Sequence, residues 1–165
     1  MPAGLAAATA EALDRFPDRE RVTVLFTAHS LPLRLGDDAA RYKSDVERTA
    51  ALVAAHLRLA RYEVALQSAG RTGEPWLGPE LGEEIRRLAG SGTSEIVVCP
   101  VGFVADHLEV LYDVDIDARA VAREAGVRLE RARSMNDDPT FIAGLADLVV
   151  DRLAQGPPDG PAGAA

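Results

Sequence analysis

Short apolar segments alternate regularly with segments of helical periodicity, and this alternation limits the fold more than any other feature of the sequence. Residues 22–28, VTVLFTA, are apolar or β-branched almost throughout, which is typical of a strand buried on both faces. Residues 37–60 instead repeat apolar side chains at helical spacing. The predicted strands are residues 22–28, 62–67, 95–99 and 127–132, and the predicted helices are residues 5–15, 37–60, 80–88, 106–125 and 139–153. This order predicts a three-layer α/β sandwich with a four-stranded parallel sheet.

Length and composition narrow the class of protein. The 165 residues suffice for one domain with a hydrophobic core. The formal net charge of −8 argues against nucleic acid or an anionic membrane as the main partner. The sequence contains neither an apolar run of about 18 residues nor a secretory signal pattern, so we expect a cytoplasmic protein without a membrane span. The single cysteine, Cys99, excludes an internal disulfide framework and an iron–sulfur cluster built from this chain alone.

The loops that follow the predicted strands are the expected place for a ligand, because parallel α/β sheets bind ligands beyond the carboxyl ends of their strands. These loops are residues 27–36, 68–79, 100–106 and 134–138. His29 lies in the first loop, where a neutral imidazole accepts a proton or ligates a transition metal. A structural loop histidine is an equally good interpretation from position alone. His56 lies among alanine and leucine residues of a predicted helix, which favours a structural or surface role.

The predicted helix after the third strand carries a row of carboxylates. Glu109, Asp113 and Asp117 are spaced at i, i+4 and i+8, so they fall within an arc of about 80° on one helix face. Like charges at this spacing destabilise a helix by roughly a few tenths of a kcal/mol per pair. The row therefore indicates either a solvated face or a site that handles cations or protons.

Short motifs in these loops resemble one known family. The motifs are AHSLP at residues 28–32, QS at 67–68, PWLGP at 75–79, GFVADHLE at 102–109, LYD at 111–113 and SMN at 134–136. Together, and in this order, they resemble ferrochelatase, which inserts Fe²⁺ into a porphyrin during haem synthesis. The resemblance spans roughly residues 22–153 and is specific because it rests on the ordered set.

The resemblance implies a fold and roles for individual residues. The implied fold is chelatase-like and corresponds to one of the two Rossmann-like halves of a ferrochelatase. His29 becomes the active-site histidine of the porphyrin cleft and Glu109 its acidic partner, and both are implied as metal contacts. Asp113 and Asp117 match the acidic row of the family, on a helix that is widened to π geometry. The implied cleft wall comprises Ser30, Pro32, Trp76 and His107.

The chemistry of metallation gives the implied residues their tasks. Two pyrrole N–H protons must leave, and a divalent iron that has shed its water must enter. A histidine and a carboxylate that face each other supply a base and a metal or proton acceptor. We therefore expect Fe²⁺ as a substrate, no prosthetic group, and His29 with Glu109 as the proton-handling pair. Which of the two takes the proton stays open, and the row of Asp113 and Asp117 is either a proton or cation path or a solvated face.

The motifs match the C-terminal half of the family, whose chains are about twice this length. The resemblance thus predicts residues 1–20 as a linker helix from a missing N-terminal half and residues 21–154 as the C-terminal α/β domain. The Pro-, Gly- and Ala-rich composition of residues 155–165 predicts a disordered tail. The expected partner is an N-terminal half or a second copy of this chain. Three functions remain: a ferrochelatase half, a small homodimeric chelatase of the sirohydrochlorin or cobalt type, and a non-catalytic metal- or porphyrin-binding remnant. The motifs favour the first, with protoporphyrin IX or coproporphyrin III as the substrate.

Overall fold

Four parallel strands form the sheet at the centre of the computed structural model, which describes residues 2–70 and 73–156. The strands are β1 (Thr23–His29), β2 (Tyr62–Gln67), β3 (Glu95–Cys99) and β4 (Arg128–Arg131), in the spatial order β2-β1-β3-β4. The helices are α1 (Pro2–Leu13), α2 (Asp37–Leu57), α3 (Leu81–Gly90), α4 (Leu108–Leu111), a π-helix (Tyr112–Ala118), α5 (Arg119–Glu124) and α6 (Pro139–Ala154). The predicted α/β sandwich with a four-stranded parallel sheet is confirmed.

Helices cover both faces of this sheet. The elements α4, the π-helix and α5 follow one another without a break, and we call residues 108–124 the composite helix. Val24 and Phe26 of β1 lie in a buried cluster with side chains of α1 and α2. Leu25, between them, lies in a second buried cluster with side chains of α3 and the composite helix. This alternation explains why the middle of β1 is a continuous apolar run, since both of its faces are buried.

The strand register aligns the carboxyl ends of the strands at one edge. His29 at the end of β1 pairs with Gln67 at the end of β2. Phe26 of β1 pairs with Cys99 of β3, and Val98 of β3 pairs with Arg131 of β4. The four loops that the sheet rule selected therefore meet at this edge.

The predicted boundaries near that edge differ from the structure by one or two residues, and two of these differences concern the site. β1 extends one residue further than predicted, so His29 belongs to the strand and is held by the sheet. The composite helix begins at Leu108 rather than at Asp106, because His107 has extended backbone angles (φ −149°, ψ 167°). The Asp106 carboxylate is instead hydrogen-bonded to Ser134 and Asn136 outside the helix.

The two ends of the chain differ in how far they can be described. α1 contributes Leu5 and Leu13 to the same cluster as β1, while its predicted role as a linker stays a prediction. The predicted tail falls largely on residues 157–165, which lie outside the described residues. Among the described residues, no helix is both long and apolar enough to cross a membrane.

Candidate active site

A histidine and a glutamate face each other at the carboxyl edge of the sheet. His29 ends β1, and Glu109 lies in the first turn of the composite helix. The distance from His29 Nε2 to Glu109 Oε1 is 3.4 Å, and the two side chains are 36% and 49% exposed. The structure thus brings together two residues that are 80 positions apart in the sequence, numbered 29 and 109, and leaves both accessible from outside.

Hydrogen bonds on the far side of the ring fix the orientation of the imidazole. His29 Nδ1 is hydrogen-bonded to the backbone carbonyl of Ser30. Because a carbonyl only accepts, Nδ1 carries the proton, and Nε2 presents its lone pair towards Glu109 in the neutral ring. Tyr42 of α2 makes a hydrogen bond with the His29 backbone. Burial raises the pKa of the Tyr42 hydroxyl and outweighs the opposite effect of that hydrogen bond.

The acidic row continues from Glu109 along the composite helix. Asp113 and Asp117 both lie in the π-helix, so the implied widening of this helix is confirmed. Asp113 accepts a hydrogen bond from the Ser68 hydroxyl and a longer one, 3.4 Å, from Gln67 Nε2. Ser68 has a φ of 61°, which is rare for a residue with a side chain and is found often at functional sites.

Asp117 lies beyond these contacts, beside a groove. The groove has a volume of about 580 Å³ and runs between the composite helix and α3. Its lining includes Ser68, Arg86, Asp113 and Asp117. Within the described residues, the His29–Glu109 pair is not part of this lining, so the pair opens onto the surface while the acidic row borders the groove.

An arginine on the last strand holds the other side of the composite helix. Arg131 Nε donates to both carboxylate oxygens of Asp115, at 3.1 and 3.0 Å, and its Nη1 donates to Asp106 at 3.0 Å. Ser134 and Asn136 also donate to Asp106. Burial alone would raise the pKa of Asp106, but the hydrogen bonds from Asn136, Ser134 and Arg131 and the arginine's charge lower it below its ordinary value. We call Asp106, Asp115 and Arg131 the arginine brace.

Sequence reasoning gave this brace no role. The SMN motif at residues 134–136 forms part of the family resemblance, but the sequence assigns no contact to it. Arg131 lies in a strand of mixed character, RLER, in which a charged side chain at the end is unremarkable. Arg131 does lie at the carboxyl end of a predicted strand, beside the loops in which a ligand is expected. This position is the one feature of the sequence that could have indicated a role for it.

Comparison with known proteins identifies the family of this arrangement. The sequence model of the family described as Ferrochelatase matches residues 3–153. The chain is 50% identical over 150 residues to a ferrochelatase of Thermus thermophilus, covering 88% of this chain and 47% of that protein. The chain belongs to the ferrochelatase family. The resemblance inferred from the loop motifs is therefore confirmed.

Other relatives give the same picture. A ferrochelatase of Herpetosiphon aurantiacus is 45% identical over 141 residues, which is 84% of this chain and 46% of the relative. A coproporphyrin III ferrochelatase of Geobacillus thermodenitrificans is 44% identical over 139 residues, which is 84% of this chain and 44% of the relative. The chain thus spans about half the length of the curated relatives it matches.

The predicted cleft-wall residues of this ferrochelatase-family chain form two groups beside the His29–Glu109 pair. Ser30 is buried, and its hydroxyl donates to the Leu77 carbonyl at 2.7 Å. Pro32 forms an isolated bridge with Trp76, so these residues tie the first loop to the second. His107 is exposed and precedes the composite helix, with its ring 5.2 Å from that of Phe103. Their contact with a porphyrin stays a prediction.

A glycine permits the close approach of the third loop to β1. A Cβ atom added to Gly102 would lie 2.5 Å from Ala28 Cβ and 2.8 Å from Ala28 Cα. The Gly102 N–H also donates to the Thr27 carbonyl at 3.1 Å. The loop that leads to Glu109 is therefore packed directly against the strand end that carries His29.

The metal-binding capacity of this site is small. In residues 2–70 and 73–156, no group of three or more histidine, cysteine, aspartate or glutamate side chains is placed to hold a metal ion. The His29–Glu109 pair supplies two ligand types suited to Fe²⁺.

Proposed function

We propose that this chain is the C-terminal half of a ferrochelatase and inserts Fe²⁺ into a porphyrin, in haem biosynthesis, when an N-terminal half closes the cleft. The observation that carries the proposal is the 3.4 Å separation of His29 Nε2 and Glu109 Oε1. With the imidazole proton on Nδ1, both atoms present lone pairs to each other. Such an arrangement favours a proton or a cation between them.

The proposed reaction exchanges two pyrrole protons for one Fe²⁺ ion. Nε2 of His29 accepts a proton from a pyrrole nitrogen, and the Glu109 carboxylate stabilises the imidazolium that forms and then takes this proton over. Nε2 is thereby free to accept the second pyrrole proton. The lone pairs left on the deprotonated nitrogens then bind the iron as it sheds its water. The pair thus handles protons on one side of the macrocycle.

The acidic row supplies a route for the released protons. Asp113 lies one turn beyond Glu109 and is held by Ser68 and Gln67, whereas Asp117 borders the groove. Carboxylates with neutral hydrogen-bond donors retain the capacity to take up a proton or a hydrated cation. We therefore propose that protons leave from Glu109 through Asp113 to Asp117.

Apolar side chains beside the pair fit a flat macrocycle. Leu108 directly precedes Glu109 and Tyr112 follows it by three residues, and the two are 84% and 52% exposed. Leu33 and Leu35 follow the loop of His29 and are also exposed. Exposed apolar groups around a polar centre are typical of a ligand surface, and binding energy gained there is available to distort the porphyrin.

In this proposal iron is a substrate, and the chain holds neither a prosthetic group nor an iron–sulfur cluster. Cys99 is buried, and burial raises the pKa of its thiol to about 11 despite a hydrogen bond from the Thr9 hydroxyl. The thiolate that a metal needs is therefore unfavourable. We also propose a cytoplasmic location, because a reducing compartment maintains both Fe²⁺ and a free thiol.

The test is an anaerobic metal-insertion assay with Fe²⁺ or Zn²⁺ and with coproporphyrin III or protoporphyrin IX. The chain is assayed alone and together with the N-terminal half of the Thermus thermophilus ferrochelatase. We expect metalloporphyrin to form with both halves present, and the preferred porphyrin identifies the substrate. Absence of insertion under every combination would refute the proposed function.

Variants test the assigned residues. His29→Ala and Glu109→Gln should each lower the insertion rate at least about 100-fold, as expected when a proton-transfer group is lost. The matched controls are His56→Ala and Glu47→Gln, two exposed positions of α2. Retained insertion in the His29 or Glu109 variant would contradict the roles while leaving the family membership intact.

A further inference from the structure

Gln67 is a buried polar residue with one hydrogen-bonding atom that has no partner. It is 1% exposed and lies at the end of β2, where it pairs with His29 of β1. Within the part of the chain that the structure describes, its Oε1 atom accepts no hydrogen bond. A buried oxygen without a partner lowers the stability of a fold, and such atoms are few in folded proteins. Packing alone therefore does not explain a glutamine at this position.

The nitrogen of the same amide faces the acidic row. Nε2 of Gln67 donates to Asp113 Oδ2 at 3.4 Å, and the Ser68 hydroxyl donates to the same oxygen. Both donors are neutral, whereas Asp115 of the same helix binds Arg131. A neutral donor brings no positive charge, so it opposes protonation of a carboxylate less than a guanidinium does. The contacts of Asp113 thus leave this carboxylate open to a proton.

An amide is able to bond a carboxyl group in both of its protonation states. An ionised carboxylate only accepts hydrogen bonds, whereas a protonated carboxyl group also donates one. The Gln67 side chain carries a donor, Nε2, and an acceptor, Oε1, and rotation about its last bond exchanges their positions. Because Oε1 has no partner among the described residues, this rotation breaks only the long hydrogen bond to Asp113.

Charged and titratable groups surround Asp113 on several elements. Glu109 lies one turn before it on the composite helix. The groups that share the lining of the groove with Asp113 come from the composite helix, α3 and the residue before α3, and they are Glu80, Arg86, Tyr112, Asp117 and Glu124. The hydrogen bonds to the Asp113 carboxylate come instead from Gln67 and Ser68, so these two side chains respond directly when its charge changes.

We propose that Gln67 is a positioning residue that follows the proton on Asp113. Nε2 donates while the carboxylate is ionised, and the amide turns so that Oε1 accepts once a proton has arrived from Glu109. The amide turns back when the proton passes on to Asp117, and it neither gives up nor takes up a proton itself. Asp113 is thereby held in one place in both states. This inference rests on the proposed function, because it assigns a task within the proposed proton route.

The first test follows the amide directly and does not require metal insertion. The side-chain N–H₂ group of Gln67 is observed in the full chain by proton–nitrogen NMR as the pH is lowered, and the Asp113 carboxyl group is followed by carbon-13 NMR. We expect the nuclear Overhauser contacts between this N–H₂ group and Asp113 to weaken as the carboxyl group takes its proton. In Asp113→Asn, which has no titrating group at this position, these contacts should not change with pH.

The second test measures insertion with a matched pair of variants, in the presence of the N-terminal half of the Thermus thermophilus ferrochelatase. Gln67→Met keeps the size of the side chain and removes the amide. We expect kcat to fall about tenfold, as is common for a group that orients another. The KM for the porphyrin should stay unchanged and the solvent deuterium isotope effect should increase, because proton release becomes slower.

Thr27→Val is the control variant. Thr27 is also fully buried, and its Oγ1 atom likewise has no hydrogen-bond partner among the described residues. Thr27→Val and Gln67→Met each remove an unpartnered buried oxygen, so each should raise the urea midpoint or leave it unchanged. Thr27→Val should insert metal at the native rate with the native isotope effect.

The outcomes separate this inference from the proposed function. An amide that keeps its contacts with Asp113 after the carboxyl group has taken its proton would overturn the rotation. A native kcat and isotope effect in Gln67→Met, or an equal loss in Thr27→Val, would overturn the positioning role. An amide that turns with Asp113 in a chain that inserts no metal would support the rotation and contradict the proposed function.

Discussion

The carboxylates on and beside the composite helix form two groups with different partners. Asp106 and Asp115 bind Arg131, a permanent cation. Glu109 and Asp113 instead face His29 and Ser68, which are neutral or titratable. Arg131 therefore places a permanent positive charge beside Asp106 and Asp115, whereas an imidazole and a hydroxyl contact Glu109 and Asp113. We accordingly assign the brace to orienting the composite helix, and Glu109 and Asp113 to the proposed proton transfer.

The largest effect is expected from breaking the arginine brace. Arg131→Ala removes the arginine from Asp106 and leaves Asp115 with Arg119, 3.4 Å away, as its other cation. We expect the free energy of unfolding to fall by about 2–4 kcal/mol, in the range for losing charged hydrogen bonds at a partly buried site. The Arg131 side chain is 14% exposed, so water replaces it poorly. Urea unfolding followed by circular dichroism measures the change.

A surface pair provides the control for this variant. Arg48 is bonded to Asp45 on α2, with both side chains largely exposed. Arg48→Ala should change the free energy of unfolding by at most about 0.5 kcal/mol. An equal loss of unfolding free energy in both variants would show that Arg131 contributes no more than an exposed ion pair does. The two groups of carboxylates would then not differ in their contribution to stability.

A smaller effect is expected from forcing the third loop away from β1. Gly102→Ala places a Cβ atom 2.5 Å from Ala28 Cβ, so the loop with Asp106 must move relative to the strand that ends in His29. We expect a loss of about 1–3 kcal/mol, as for other overpacked sites. The metal-insertion rate should fall as well, because His29 and Glu109 lose their alignment.

Gly144 provides the matched glycine. It lies within α6, and a Cβ added there meets no atom within 4 Å. Gly144→Ala should therefore leave stability unchanged or raise it by up to about 1 kcal/mol. Destabilisation by Gly144→Ala as large as that by Gly102→Ala would mean that crowding at Ala28 is not the cause.

The sequence predicts the order of strands and helices better than it predicts the contacts of the arginine brace. Apolar runs such as residues 22–28 identify strands because burial on both faces requires apolar side chains. The approach of His29 and Glu109 follows from the sheet rule together with the family motifs. Arg131 and Asp106 could not be paired in this way, because their contact depends on where β4 ends relative to the helix start.

Local geometry also escapes the sequence pattern. The left-handed conformation of Ser68, which aims its hydroxyl at Asp113, leaves no compositional trace. Periodicity predicts α6 as a helix, but periodicity does not say that its apolar stripe faces solvent. Such features depend on neighbours that are distant in sequence.

Neutralising Glu109 or Asp113 should change the free energy of unfolding less than breaking the arginine brace does. In Asp113→Asn and Glu109→Gln the shape is kept and a like-charge contact along the helix is relieved. We expect the free energy of unfolding to stay within about 0.5 kcal/mol of the native value or to rise slightly, as is common at functional sites. Urea unfolding at neutral pH measures this. A loss above about 1 kcal/mol would show that Glu109 and Asp113 stabilise the fold, as Asp106 and Asp115 are expected to do.

The smallest effect is the acid dependence that the brace contributes. The pKa of Asp106 is lowered in the folded chain. The unfolded chain therefore binds the proton more readily, so the contribution of Asp106 to stability is present above its ordinary pKa of about 4 and fades as the pH falls through the lower folded value. Ser134→Ala removes one donor to Asp106, so the pKa should rise towards its ordinary value and the loss of stability on acidification should become shallower. Carbon-13 NMR titration of the Asp106 carboxyl and urea unfolding between pH 5 and 3 follow the two changes, and Arg48→Ala should retain the native slope. An unchanged Asp106 titration in Ser134→Ala would mean that Asn136 and Arg131 lower this pKa without a contribution from Ser134.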